Sequence, residues 1–232
     1  MYPTSGGGIG NWLLLVGLPL VIGLWAQWRV KSAFNKWGEV RATSGISGAQ
    51  AARDILQAAQ INDVEVLETN DFLGDHYNPT NKTLHLSSKV YHEPSVASLG
   101  IAAHECGHAI QHARAYAPLK VRMAIVPVTM VASNMLQYVF IGAFLFQFWG
   151  LLTIGIYCLL AVLAFQVITL PVEFDASRRA KIILQQMGMV QAGAEVTGVN
   201  RVLNAAALTY VGAVVATLGN LIYMIMLRGN RD

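Results

Sequence analysis

His104, Glu105 and His108 stand at the spacing by which one helix presents two metal ligands and a base. Successive helical residues turn by about 100°, so His104 and His108 lie one above the other on a single face, where both imidazoles can reach one ion. Glu105 flanks that face without joining it, placed to hold and deprotonate a water at the open position of a zinc ion. The run His104-Glu105-Cys106-Gly107-His108 therefore points to zinc-dependent hydrolysis with one ion, His104 and His108 as ligands and Glu105 as general base. The competing explanation is a pair of histidines on a solvent-wetted helix face, so the surroundings must decide.

Residues 98–117 lack proline, are rich in alanine and lie between Pro94 and Pro118, which predicts a helix of about five turns with the motif in its middle. Gly107 costs such a helix roughly 1 kcal/mol against alanine and is read as a point of close backbone approach. Cys106 lies two residues from each histidine and points away from their face, as a small packed residue would. All six histidines fall between His76 and His112. His112 continues the helical series, but eight residues climb about 12 Å while zinc bonds are about 2.0–2.1 Å, so His112 is a polar neighbour and not a third ligand on one straight helix. His76 and His85 are weaker candidates for contacting substrate or an oxyanion.

Catalytic zinc takes three protein ligands and leaves a position for water. The longer pattern with glycine at 111 and histidine at 114 is absent, since Gln111 and Arg114 stand there, which excludes a metzincin arrangement. The next candidates are Glu173 and Asp175, in Leu170-Pro171-Val172-Glu173-Phe174-Asp175-Ala176-Ser177-Arg178-Arg179-Ala180, and their positions alone do not choose between them. Pro171 suits the first turn of a helix continuing from a membrane surface. The alternative for Glu173 is a surface ion pair with Arg178 or Arg179.

The elements that must carry these residues are largely apolar. Of 232 residues, 54% are hydrophobic and only 12% charged, against about 25% charged in an ordinary soluble domain. Four runs, 12–28, 123–148, 151–170 and 205–227, approach the roughly 20 residues of helix that cross a hydrocarbon core. The expected fold is mainly α: a polytopic membrane protein with about four spans and a small α+β catalytic region, forming one membrane-embedded domain over 1–232. Residues 1–11 carry no Lys or Arg, while Arg29, Lys31, Lys36 and Arg41 follow the first run, as for an anchor and not a cleavable signal peptide. Fourteen of the sixteen Lys and Arg lie in 29–122 and 171–206, which by the positive-inside rule places both segments, and the motif, in the cytosol. This bias accounts for the net charge of +3; no basic stripe with stacking aromatics suggests nucleic acid. Cys158 lies in the third run, so neither cysteine belongs to an extracellular disulfide framework.

Within the segment 29–120, Ser47 precedes a stretch through 59 with apolar Ala52, Ile55, Leu56 and Ala59 on one face, a short capped helix. Residues 64–68 and 83–87 alternate like strands, separated by the turn-forming Asn78-Pro79-Thr80-Asn81. The run 83–87 is the candidate edge along which an extended polypeptide could pair. Asn81-Lys82-Thr83 matches a glycosylation acceptor, which a cytosolic address makes irrelevant.

His104 to His108 together with Glu173 to Arg179 resemble the YugP-type neutral zinc metallopeptidases of bacterial membranes, themselves similar to the HtpX and CAAX prenyl protease group. The stretches 75–79 and 84–87 and Ser47-Gly48 extend the likeness over nearly the whole chain. The resemblance implies a zincin-like catalytic region and Glu173 as third ligand, a gluzincin-like set. In the HtpX-like group an aspartate follows that glutamate by four residues; here the position is Ser177, which leaves Asp175 and Ser177 as alternatives for orienting the zinc histidines.

The expectation is a membrane-bound zinc endopeptidase of the bacterial plasma membrane, its substrate a polypeptide in or near the bilayer. Arg178, His76 and Tyr77 are candidates for a further oxyanion donor. The rival is a membrane protein that binds or carries metal without hydrolysis; Asn134, Gln137 and Gln166 are poor material for its route, since no span holds a charge. An inactive scaffold keeping the motif for stability is the third reading.

Overall fold

The computed structural model describes residues 6–70, 74–146, 148 and 150–229. Residue 147, in the second predicted span, and residues 71–73 lie outside them. The helices are α1 (Gly6–Trp12), α2 (Leu18–Gly38), α3 (Gly48–Ala58), α4 (Ser88–His92), α5 (Val96–Ala113), α6 (Ala117–Leu145), α7 (Leu151–Gln186) and α8 (Ala194–Gly229), with a π-helical turn at Leu13–Gly17 joining α1 to α2. The strands are β1 (Glu65–Thr69), β2 (His76–Asn78) and β3 (Thr83–Ser87). Two compact units result: the described parts of Met1–Gln27, Val121–Leu170 and Leu208–Asp232 form one, and Trp28–Lys120 with Pro171–Ala207 form the other.

The first unit holds the apolar runs. Among the described residues, four helical stretches are long and apolar enough to cross a membrane: Gly8–Gly38, Ala117–Ala143, Leu151–Gln186 and Ala194–Gly229. Leu14, Leu20, Val128, Val131, Ile141 and Tyr157 are exposed on them, where a soluble protein would place polar groups. Inside, Ala143, Leu152, Leu159, Leu221 and Met224 pack together. At the π turn the Leu15 carbonyl comes so close to α8 that a Cβ on Gly219 would lie 2.0 Å from its oxygen, and glycine is what permits the contact.

The second unit is the predicted α+β region. Ser47 caps α3, its side chain accepting from the Gln50 N–H. Ile55 and Leu56 of α3, Leu84 and Leu86 of β3, and Leu99, Ala102, Ala103 and Cys106 of α5 share one core. Nearly all of α5 is buried, so its many alanines serve close packing from several sides. The helix runs from Val96 to Ala113 and not over 98–117: the Ser95 side chain caps it by accepting from the Ser98 N–H, and Ala115, at φ 53°, turns the chain out of it. Pro171 does not open a helix. It sits inside α7, where it removes a single backbone donor from an otherwise continuous 36-residue helix.

The sheet order is β1-β3-β2, with β1 parallel and β2 antiparallel to β3. The predicted edge at 83–87 is therefore the middle strand, and a polypeptide cannot add to it. Thr83 to His85 are paired on both sides, and the Ser87 N–H donates to Asp75 at 2.8 Å. The edges belong to β1 and to β2, a three-residue strand too short to leave an alternation in the sequence.

A Cβ on Gly107 would lie 2.8 Å from the carbonyl oxygen and 3.1 Å from the Cα of Ala176, so the close approach read from the sequence is α7 passing over α5. The obstacle is backbone, which cannot swing aside. Gly107→Ala should destabilise the protein by about 1–3 kcal/mol despite alanine's better helix propensity, and thermal unfolding beside a Gly100→Ala control, whose Cβ meets only ordinary contacts, checks this.

Candidate metal centre

The α5–α7 contact brings His104, His108 and Glu173 together. One ligand atom from each falls within 4.8 Å of the others. Glu173 Oε2 lies 3.3 Å from His104 Nε2 and 3.5 Å from His108 Nε2, and the Glu173 side chain is only 2% exposed. Ligands about 2.0–2.1 Å from a tetrahedral ion stand about 3.3–3.4 Å apart, so both contacts are near the edge length of a zinc tetrahedron. Asp175, the other candidate ligand, is not in the cluster.

The histidines are held from their far nitrogens. Ser177 Oγ lies 3.1 Å from His104 Nδ1, and Gln111 Oε1 lies 3.1 Å from His108 Nδ1. The orientation of Gln111 is fixed, since its amide nitrogen donates to the Val172 carbonyl at 2.8 Å and to Asp175 Oδ2 at 3.0 Å; reversed, it would set oxygen against two acceptors. His108 Nδ1 thus faces an acceptor and carries the hydrogen, which leaves a lone pair on Nε2 toward Glu173. Asp175 itself accepts from Arg178 and Arg179, each at 2.5 Å. Both alternatives contact the histidine pair: Ser177 touches His104, and Asp175 reaches His108 through Gln111.

Glu105 comes from the same helix but points to the sheet, where its Oε2 accepts from the Tyr77 N–H at 3.0 Å. Tyr77 belongs to the edge strand β2, and its hydroxyl lies 2.9 Å from His112 Nδ1. His112 lies outside the cluster of His104, His108 and Glu173 and forms a second tie between β2 and α5. Asp75, just before β2, grips the backbone and hydroxyl of Ser87. Burial raises the Asp75 pKa above the usual carboxylate range against those two hydrogen bonds, and the charge of Glu105 adds to the rise. Burial likewise pushes the Cys106 thiol far up, and its Sγ turns to the Ala52 carbonyl, as for a packed residue. His76 is exposed, stacked on His85 and bonded to the Gly74 carbonyl; Arg178 is exposed and held by Asp175. Gln111 and Asp75 were not singled out as site residues from sequence. Gln111 did carry a signal, since it lies three residues after His108 on the same face.

The family model for "Putative neutral zinc metallopeptidase" matches residues 12–229. The chain belongs to this zinc metallopeptidase family. It is also 43% identical, over 90% of its length and 92% of the relative's, to "Putative membrane protease YugP" of Bacillus subtilis (strain 168). No solved structure matches the chain. For a zinc metallopeptidase the donor set fits: two imidazole nitrogens and one carboxylate oxygen, His108 and Glu173 buried and His104 partly so, with the tautomer of His108 fixed by Gln111. His104, His108 and Glu173 could hold one ion.

Replacing Gln111 by alanine should weaken zinc binding about 10–100-fold while the protein stays folded. Competition with a chromophoric chelator measures this, and Ser177→Ala, which touches His104 alone, should lower affinity less.

Proposed function

We propose that this family member is an integral-membrane zinc endopeptidase in which His104, His108 and Glu173 hold the ion and Glu105 is the catalytic base, a gluzincin-like site built on the His104-to-His108 motif. The observation that carries the reading is the placement of Glu105: the Tyr77 N–H holds one of its carboxylate oxygens, and its charge is close enough to act on the His108 imidazole. When bound, zinc supplies Lewis acidity, which polarises a carbonyl and lowers the pKa of water toward about 7.

Glu105 takes the proton of the attacking water and returns it to the leaving amine. Tyr77 and its partner His112 keep that carboxylate aligned, since both tie β2 to α5. Ser177 and Gln111, at the Nδ1 atoms, turn the Nε2 atoms of the histidines toward the ion.

The chain works on this reading as one domain over 1–232, because α7 carries both an apolar run and Glu173. Its substrates are polypeptides in or near the membrane. The two Lys- and Arg-rich segments favour a site facing the cytosol of a bacterial plasma membrane. Metal carriage finds little support, since the candidate ligands sit in a closed, hydrogen-bonded set.

Glu105→Gln should retain zinc and lose cleavage by at least roughly 10²-fold, whereas Glu173→Gln should lose zinc and cleavage together. Metal analysis of each purified variant and hydrolysis of a casein-like or membrane polypeptide in proteoliposomes provide the readouts. Full zinc content in the Glu173 variant would remove it from the ligand set, and normal cleavage by the Glu105 variant would sink the mechanism.

A further inference from the structure

Asn134 and Gln137 are the anomaly of the apolar unit. Both lie on α6, 12 and 15 residues past Arg122, the last charged residue before the span. That is about 18–23 Å along the helix, near the middle of a hydrocarbon core about 30 Å thick. Both are exposed. An amide that opens on hydrocarbon has no water to satisfy its donors and acceptor, which costs free energy unless another helix brings a partner. α6 could have turned them inward and did not. Thr129, Ala132, Val139 and Ala143 are buried on one face, and the two amides stand on the side turned away from it.

The amides belong to a longer series. Met123, Pro127, Met130, Asn134, Gln137 and Ile141 follow one another at alternating steps of four and three, the 3.5-residue period of a helix-pairing seam, and all six are exposed. The seam carries no charge, so two copies of it do not repel each other. Beside Met130 and Asn134 a hollow of about 240 Å³ reaches Phe165 of α7, with room for a side chain of a second helix as a knob enters a hole.

The occupant follows from symmetry. A closed pair of copies inserted in the same orientation has its two-fold axis along the membrane normal, which sets α6 parallel to its mate and every seam residue opposite itself at equal depth. An amide both donates and accepts, so Asn134 is its own complement, and a single polar residue in such a seam also fixes its register. The substrates of a peptidase differ in sequence and would not each bring an amide to that depth; a second copy always does. We propose that the protein is a homodimer in the membrane, paired through the 123–141 face of α6 with Asn134 and Gln137 hydrogen-bonded to their counterparts in the second copy.

Full-length copies carrying a donor or an acceptor fluorophore at the C-terminus, mixed in proteoliposomes and diluted with lipid, report the pairing by energy transfer. Asn134→Leu combined with Gln137→Leu should raise the protein density at half-pairing roughly tenfold or more over wild type. Leucine suits a lipid-facing position, so this variant should stay folded. A second set keeps both amides. Met130→Cys and Ile141→Cys should each form a disulfide-linked dimer on oxidation, whereas Val128→Cys, as exposed as Met130 but about 140–160° around the helix from both, should not. Wild type, whose Cys106 and Cys158 are buried, is the blank. A wild type without energy transfer, a leucine variant that pairs as wild type does, or cross-linking at 128 as strong as at 130 would overturn the proposal. Cross-links from 130 and 141 to other polypeptides in place of a second copy would overturn it in favour of a substrate helix in the seam.

Discussion

The candidate centre depends on one backbone contact, the passage of α7 over Gly107. Four residues of α5 share a face, His104, Gly107, His108 and Gln111, spaced three and four apart; Glu173, Ala176 and Ser177 form the matching stripe on α7. Seating Ala176 on Gly107 sets the register of the two stripes, with the helices running in opposite directions. His104 then meets Ser177, both histidines meet Glu173, and Gln111 meets Val172 and Asp175. A side chain at 107 would part the helices and pull on every one of these contacts at once, which is why a helix-weakening glycine stands in the middle of the motif.

Bringing a carboxylate to 2% exposure is costly unless its charge is met nearby. Two imidazoles meet it at Glu173, and the polar atoms behind them are met in turn: Gln111 by Val172 and Asp175, Asp175 by Arg178 and Arg179. Burial by itself opposes a charge on His108, yet the contact with Glu173, the charge of Glu105 and the Gln111 contact leave its pKa above the ordinary value. The network therefore draws a positive charge to the cluster, whether as a proton or as a metal ion. Partial satisfaction would be worse than an apolar core, so the network constrains residues well beyond the ligands.

What the sequence made legible follows from which interactions are local. His104 and His108 are linked by the pitch of one helix, and the apolar runs by composition, so the histidine pair and the apolar spans could be read directly. Glu173 against Asp175 could not be settled by spacing, because the choice rests on a register between helices some seventy residues apart. β2 was invisible for the same reason: three residues hold no alternation, and only pairing with β3 makes them a strand. The error at 83–87 came from treating a strand as an edge without knowing its neighbours. The ends of α5 shifted because Ser95 caps earlier than the proline suggested and because Ala115 adopts a left-handed conformation that no composition signals.

Chain connectivity adds a constraint that geometry alone conceals. The candidate ligands come from the two separate chain segments of the second unit, His104 and His108 from Trp28–Lys120 and Glu173 from Pro171–Ala207, and residues 121–170 between those segments belong to the other unit. No contiguous fragment confined to the α+β region contains all three. Glu173 lies on the same uninterrupted helix as the apolar run that ends at Leu170, only three residues beyond it. A cluster assembled this way cannot form until α6 and the apolar part of α7 have been made, so the apolar helices stand in the chain between the two halves of the candidate site.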